Sequence, residues 1–291
     1  MSSNTNPSEG VLGIVAGKGF FQQVLLVLIL LSILFFFFIS LEYLLLSYQR
    51  IGEKRVDLLP MTVTAEDTML TFQQNKSQYA NAKQIPLSDN ERTGIEFTYS
   101  FFLFIHPSTF TGEDTLHHVF HKGYITPWPL MGPGVFVRGN SNTLRVVMNT
   151  YRNAYTFMDI ENIPVRKWFH CVLVCRKNSL EVYINGNLRK KLPFEGTLPY
   201  QNFQNLICFS PLKKIIMGSQ VPSLGPDTNL YFQGAVRGNM SNLIYLAYAA
   251  SFTEIQGLMN LGVSKKTLSS EMDKPPYLVD TYWTTSYTLQ E

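Results

Sequence analysis

Apolar and polar residues alternate with a period of two along most of this chain, and only a stretch near its N-terminus breaks the rule. Ile95, Phe97, Tyr99, Phe101, Leu103 and Ile105 alternate with Glu96, Thr98, Ser100, Phe102 and Phe104. That pattern predicts one long strand with an apolar face and a second face that turns apolar toward its end. The same periodicity predicts strands at His118 to His121, Val135 to Arg138, Leu144 to Asn149, Tyr155 to Ile160, Trp168 to Arg176, Leu180 to Asn185, Lys214 to Met217 and Leu243 to Ala249. Turn residues separate them: Pro107-Ser, Gly132-Pro-Gly, Gly139-Asn-Ser-Asn, Lys177-Asn-Ser and Asn185-Gly-Asn. Many short strands between regular turns predict a mainly β fold, an antiparallel sandwich of two sheets. One helix is predicted at Thr253 to Asn260, with Ser251 or Thr253 as its cap.

The exception is Val24 to Leu41, VLLVLILLSILFFFFISL, with only Ser32 and Ser40 breaking an apolar run that has no polar face. About 18 residues is the lower working length of a membrane-spanning helix. Its Leu, Ile, Val and Phe side chains favour insertion by roughly 5 to 9 kcal/mol, more than the roughly 3 kcal/mol that Glu42 costs at the edge. Val24, Leu25, Phe35, Phe38 and Leu41 are thus read as anchor residues. A cleaved signal peptide fits less well, because no small-x-small site follows and the chain continues EYLLLSYQR. Lys18 precedes the span and Arg50, Lys54 and Arg55 follow it, so the C-terminal part is expected on the cytoplasmic side of a single-pass protein.

Composition narrows the picture. A net charge of +3 over 291 residues, without a basic block, gives no footprint for nucleic acid. Three cysteines, Cys171, Cys175 and Cys208, make no disulfide framework. Along one strand Cys171 and Cys175 share a face but lie roughly 13 Å apart at ~3.3 Å per residue, beyond disulfide reach. Free core thiols and a reducing compartment are expected. The sequons at Asn75 and Asn239 matter only for a lumenal domain.

Trp168-Phe169-His170, the alternating valines after it and "LEVYING" resemble the central hairpin of concanavalin A-like lectin and glucanase domains, a group that includes laminin-G-like and pentraxin-like sandwiches. "FQGAVRGNMSNLIYLAYAASFTEIQGLM", Phe232 to Met259, is similar to that family's closing element, and "IEFTYSFFLFI" to its first core strand. NLYFQG at Asn229 to Gly234 matches a common tag-cleavage site, but it lies inside the closing element with Thr228 in place of the usual Glu, and reads as native. The resemblance implies a jelly-roll sandwich of two antiparallel sheets.

The family's glucanases carry paired carboxylates on one strand, and retaining hydrolysis needs them about 5–5.5 Å apart. Here the nearest match is Asp159-Ile160-Glu161, and Phe157 fills the nucleophile's place. Glu113-Asp114 falls in a turn. Asp159 and Glu161 are expected at a solvated strand edge, and no catalytic residue is assigned; a degenerate glycosidase is the weakest alternative. His117, His118 and His121 invite a metal reading, but His117 and His121 are too far apart along a strand to share one ion. No calcium pattern is present, and no cofactor or metal ligand is expected. Tyr124, Trp128 and Tyr151 lie in loop-like segments and form the candidate glycan-binding set. Pro275-Pro276 followed by Tyr277, Tyr282, Trp283 and Tyr287 reads as an extended arm for a protein partner. The expected organisation is a tail at 1–19, the spanning helix at 20–48, a linker at 49–82, the sandwich at 83–261 and the arm at 262–291. The whole resembles minor structural proteins of large icosahedral DNA viruses with an internal membrane. That resemblance implies a non-catalytic minor capsid protein tying the inner membrane of the virion to other capsid or assembly proteins. A membrane-tethered lectin for attachment is the alternative.

Overall fold

The computed structural model describes residues 8–65, 69–74, 84–88, 95–124, 130–153, 155–199, 204–217 and 229–268. Two compact units divide the chain, residues 1–53 and residues 54–291. The first is helix α1 (Ser8–Lys54), within which Phe21–Leu45 is long and apolar enough to cross a membrane. At 1.5 Å per residue that span reaches ~37 Å, more than the ~30 Å of a hydrocarbon core. The Ser32 hydroxyl donates to the Leu28 carbonyl at 2.9 Å, so this polar group is satisfied inside the helix itself.

The second unit is a sandwich of two sheets. One sheet runs, in spatial order, β1 (Arg55–Thr64), β14 (Gly238–Leu246), β3 (Phe97–Ile105), β8 (Phe169–Arg176), β9 (Ser179–Ile184) and β10 (Asn187–Pro193). The other runs β12 (Lys213–Met217), β13 (Asn229–Ala235), β4 (Leu116–Gly123), β5 (Met131–Arg138), β6 (Leu144–Met148) and β7 (Thr156–Ile160). The short strands β11 (Asn205–Cys208) and β2 (Leu70–Phe72) extend this second sheet along the far half of β4. Pairing is antiparallel except between β13 and β4, which run parallel. Between the sheets the inward residues of β3 meet those of β4 and β14. Phe101 packs edge-on to Phe120 with centroids 5.2 Å apart, and Tyr99 lies 5.1 Å from Tyr245. Cys171, Cys175 and Cys208 are free and buried in this core, where burial pushes each thiol well above its ordinary pKa.

Two local devices fix the register. Asn185 and Gly186 both take positive φ, 49° and 76°, which makes the tight turn that joins β9 to β10. Gly238 takes a φ of 153° against the Phe104 carbonyl, where a side chain would have no room. On the outer face of the first sheet lies α2 (Phe252–Asn260). Its cap is Ser251, and Ser251 and Glu254 close a capping box. Ile255 and Leu258 of α2 cover Val172, Val174, Ile244 and Leu246.

Three boundaries differ from the sequence reading. The segment expected as a linker carries β1 and β2, so the sandwich starts at Arg55 and not at residue 83. The adjacent Leu58-Leu59 and the Pro60 after them hide β1 from a period-two reading, but Leu58, Leu59 and Val63 are all buried. Helix α1 runs beyond the expected residues 20–48 at both ends. The arm expected to leave the sandwich at residue 262 instead stays on it through residue 268. Asn242 donates to the Gly262 carbonyl at 2.7 Å, the Ser264 N–H to Ser241 Oγ at 2.9 Å, and the Thr62 N–H to the Lys266 carbonyl at 2.8 Å. Residues 269–291, with Tyr277, Tyr282, Trp283 and Tyr287, lie outside the described residues.

Burial of Leu58, Leu59 and Val63 contributes roughly 5–9 kcal/mol at about 1.5–3 kcal/mol per side chain, comparable with the whole stability of a domain. A chain starting at Lys54 is therefore expected to be soluble and to unfold in one cooperative transition. A chain starting at Lys83 is expected to aggregate or to show no such transition in size-exclusion chromatography and differential scanning fluorimetry. Equal melting temperatures for the two would remove β1 from the core.

Candidate functional site

Register places two of the three glycan candidates at one pole of the sandwich. Gly123 of β4 stands opposite Met131 of β5, and the Asn149 N–H donates to the Met131 carbonyl. Tyr124 and Tyr151, one residue past Gly123 and two past Asn149, thus leave the second sheet at the same end. They are 53% and 70% exposed. Trp128 lies outside the described residues.

At this pole a cleft opens between the sheets. Phe97, Tyr99 and Tyr245 line it from the first sheet, and Lys122 and Met148 from the second. The segment 84–88 crosses its mouth, held by the Tyr245 hydroxyl, which donates to the Pro86 carbonyl at 3.1 Å. The enclosed space is about 50 Å³, enough for a few water molecules. Burial lowers the Lys122 pKa to about 8. Nothing in the sequence singled out Lys122. Its β4 neighbours alternate imperfectly, because a bulge at Val119 shifts which face the later residues take.

That bulge also decides the histidines. It puts His118 and His121 on one face, with His118 Nε2 and His121 Nδ1 2.6 Å apart. The Ser210 N–H donates to His118 Nδ1 at 2.9 Å, and His121 Nε2 lies 2.6 Å from the Tyr124 carbonyl. The chain of bonds assigns tautomers: His118 donates from Nε2 to His121, and His121 donates from Nε2 to Tyr124. Every ring nitrogen is used, so the pair reads as a hydrogen-bonded brace for the start of the Tyr124 loop. Among the described residues no three His, Cys, Asp or Glu side chains are grouped to hold a metal ion.

Asp159 lies on β7, the edge strand of the second sheet, and its carboxylate is engaged by two arginines. Arg145 grips it with two bonds, 2.7 and 2.6 Å, and Arg138 approaches to 3.5 Å. The Arg145 guanidinium also lies 4.3 Å over the Phe157 ring, and Asp159 raises its pKa against the opposing effect of burial. Cross-strand register brings this about, since Arg145 stands opposite Asp159 and its neighbour Val147 opposite Phe157. Phe157 is a platform for Arg145. Glu161 is exposed.

One pair has the look of a nucleophile and base. Ser100 Oγ lies 2.8 Å from His170 Nε2. Nucleophilic activation also needs a group that orients the base. His170 Nδ1 is buried with no hydrogen-bond partner among the described residues, and Ser100 is itself buried. The geometry supplies a buried polar link between β3 and β8 rather than an accessible dyad.

The buried histidines make stability pH-dependent. Burial lowers His121 and His170 to a pKa of about 4, from an ordinary 6.5, and lowers His118 in the same sense. Below pH ~6.5 the unfolded chain takes up protons that the folded chain refuses, so stability is full above that pH and is lost as pH falls toward ~4. Each histidine contributes a slope of about 1.4 kcal/mol per pH unit in that window. Thermal midpoints of the full chain in detergent are expected to fall between pH 7 and pH 5, and His170→Gln to flatten the fall. A flat wild-type profile would contradict the neutral, buried rings.

No family model matches the chain, and no curated protein matches it. Among solved structures, the binding domain of botulinum neurotoxin serotype D overlaps 68% of this chain and 41% of its own, at 12% identity and a TM-score of 0.46. The binding domain of botulinum neurotoxin DC, solved with rat synaptotagmin II, overlaps 69% and 42%, at 12% identity and 0.44. The binding domain of Paraclostridial Mosquitocidal Protein 1 overlaps 69% and 42%, at 13% identity and 0.44. This chain spans about two-fifths of the length of each. At that identity and overlap the likeness carries nothing about what this chain binds, and the fold stands on its own two sheets and their register.

Proposed function

We propose that this chain is a single-pass, membrane-anchored, non-catalytic binding module that holds a β-sandwich at a bilayer surface for a protein partner. The observation that carries this reading is Phe21–Leu45, an unburied 25-residue apolar stretch of α1, in a chain whose sandwich has a core of its own. A soluble helix of that composition would need cover, and a bilayer supplies it. Lys54 closes α1 and Arg55 opens β1, and these two with Arg50 outnumber Lys18 on the other side. That bias supports a cytoplasmic sandwich, as do three free thiols. The commitment of Asp159 to Arg145 supports a non-catalytic role. The finer assignment, a minor capsid protein between a viral inner membrane and its capsid, rests on the sequence resemblance alone.

Tyr124 and Tyr151 favour a second reading, in which the same pole takes a glycan. Stacking aromatics beside polar groups are what a sugar ring wants. On that reading Tyr124→Ala with Tyr151→Ala abolishes retention on a glycan array. On the protein-partner reading the wild-type chain shows no retention to lose.

The anchor is tested by fractionation. The full chain is expected to stay in membranes through an alkaline carbonate wash and to keep its full mass. Deletion of Phe21–Leu45 is expected to move it to the soluble fraction. A wild-type chain shortened by removal of the apolar segment would make that segment a signal sequence and end the anchor reading.

A further inference from the structure

The pole opposite Tyr124 carries an open pocket of about 700 Å³, within the range of ligand sites. It forms where β1 and β3 end and β4 begins. His117, Lys213 and Arg237 line it, with the hydroxyl-bearing Ser108 and Thr111. No Asp or Glu is among its described lining residues. Lys213 and Arg237 are exposed, whereas His117 is 6% exposed and burial lowers its pKa, so the two longer side chains carry the positive charge. Gln233, which faces Lys213 across β12 and β13, also lines the pocket. Its Oε1 is buried and has no hydrogen-bond partner among the described residues. An orphaned buried acceptor costs free energy until a donor reaches it.

These features together specify a ligand. The charge calls for an anion, and Gln233 Oε1 calls for a donor on the same ligand. A sulfate or a phosphate-monoester dianion brings acceptors only. A sugar brings hydroxyl donors but wants an exposed aromatic face, and among the described lining residues the one aromatic ring besides His117 is Phe209, which is 1% exposed. A peptide with acidic side chains brings carboxylates and backbone N–H groups side by side. We propose that this pocket binds an acidic peptide segment of a protein partner, with Lys213 and Arg237 on its carboxylates and Gln233 Oε1 accepting from its backbone. This deepens the reading of the sandwich as a protein-binding module and rests on it. The anchor does not enter, so membrane fractionation and peptide binding can fail separately.

The test uses the full chain in detergent micelles and a capped, fluorescein-labelled hexaglutamate peptide, read by anisotropy. Binding is expected, and is expected to weaken at least about tenfold between about 50 and about 300 mM salt. Lys213→Gln with Arg237→Gln should lower affinity about tenfold or more, as loss of charge-assisted bonds does. Arg189→Gln with Lys190→Gln, on exposed β10, should leave it unchanged. Gln233→Leu should weaken binding about fivefold while holding or raising the thermal midpoint, because it removes an unpaired acceptor. A side chain that served packing alone would show the opposite pattern. Any of four results overturns the proposal: no hexaglutamate binding, equal binding of hexaglutamine, equal losses from the β10 pair, or tighter capture of a sulfated disaccharide through the same residues. Glu66 and Asp67 lie in the chain between Ala65 and Met69, two lining residues. Binding that emerges only after Glu66→Gln with Asp67→Asn would assign the pocket to the chain's own acidic pair and overturn the partner.

Discussion

A strand can be buried on both faces only where both faces find cover, and β3 sets that demand for the whole sandwich. Phe97, Tyr99, Phe101, Leu103 and Ile105 face the second sheet, while Thr98, Ser100 and Phe102 face outward and are still buried. The inner face is satisfied by ring packing against Phe120 and Tyr245. The outer face holds polar groups that water cannot reach, so each needs a partner. Thr98 Oγ1 donates to the Tyr248 carbonyl and accepts from the Ala250 N–H, which fixes the chain just before α2. Ser100 meets His170. Further along the same face, Ser241 of β14 accepts from the Ser264 N–H. Helix α2 and the segment through residue 268 are thus consequences of a central strand with no wet side.

The sequence made legible what depends on near neighbours. Apolar residues at every second position located β3, β8 and β9. Asn185-Gly186 announced its turn because few residues accept two successive positive φ values. A cap candidate at Ser251 or Thr253 before an apolar-periodic run announced α2, and the structure uses Ser251. Strand β1 was not legible. Its pairing with β14 is interrupted by two register shifts, between Asp57 and Leu59 and between Leu59 and Thr62, so its alternation is broken where it should have been strongest. Strand β10 was not legible either, because an exposed sheet edge is written in charge: Arg189, Lys190 and Lys191 blunt it against pairing.

The candidate sites were less legible than the fold, and for a different reason. Tyr124 and Tyr151 drew attention in the sequence because a large aromatic in a loop stands out alone, and both are exposed. The pocket at the other pole draws Ser108, His117, Lys213, Gln233 and Arg237 from four separated segments, and none is unusual where it stands. Only the parallel pairing of β13 with β4 brings the β12–β13 hairpin beside the start of β4. A binding surface made by topology has no motif.

The cations near the pocket end differ in what they are free to do. Arg138 and Arg145 lie on the outer face of the second sheet near the pocket end, but Arg138 bonds Asp114 at 2.6 Å and Arg145 bonds Asp159. Those cations have acids beside them and present little field to a ligand. Lys213 and Arg237 line a pocket to which the described chain supplies no carboxylate. Strands β1 and β14 separate this pocket from the other pole by about nine steps of ~3.3 Å, close to 30 Å and several screening lengths at physiological salt. Charge at one pole therefore cannot neutralise charge at the other. An anion that meets Lys213 and Arg237 therefore meets them with no charge from the far pole to offset them.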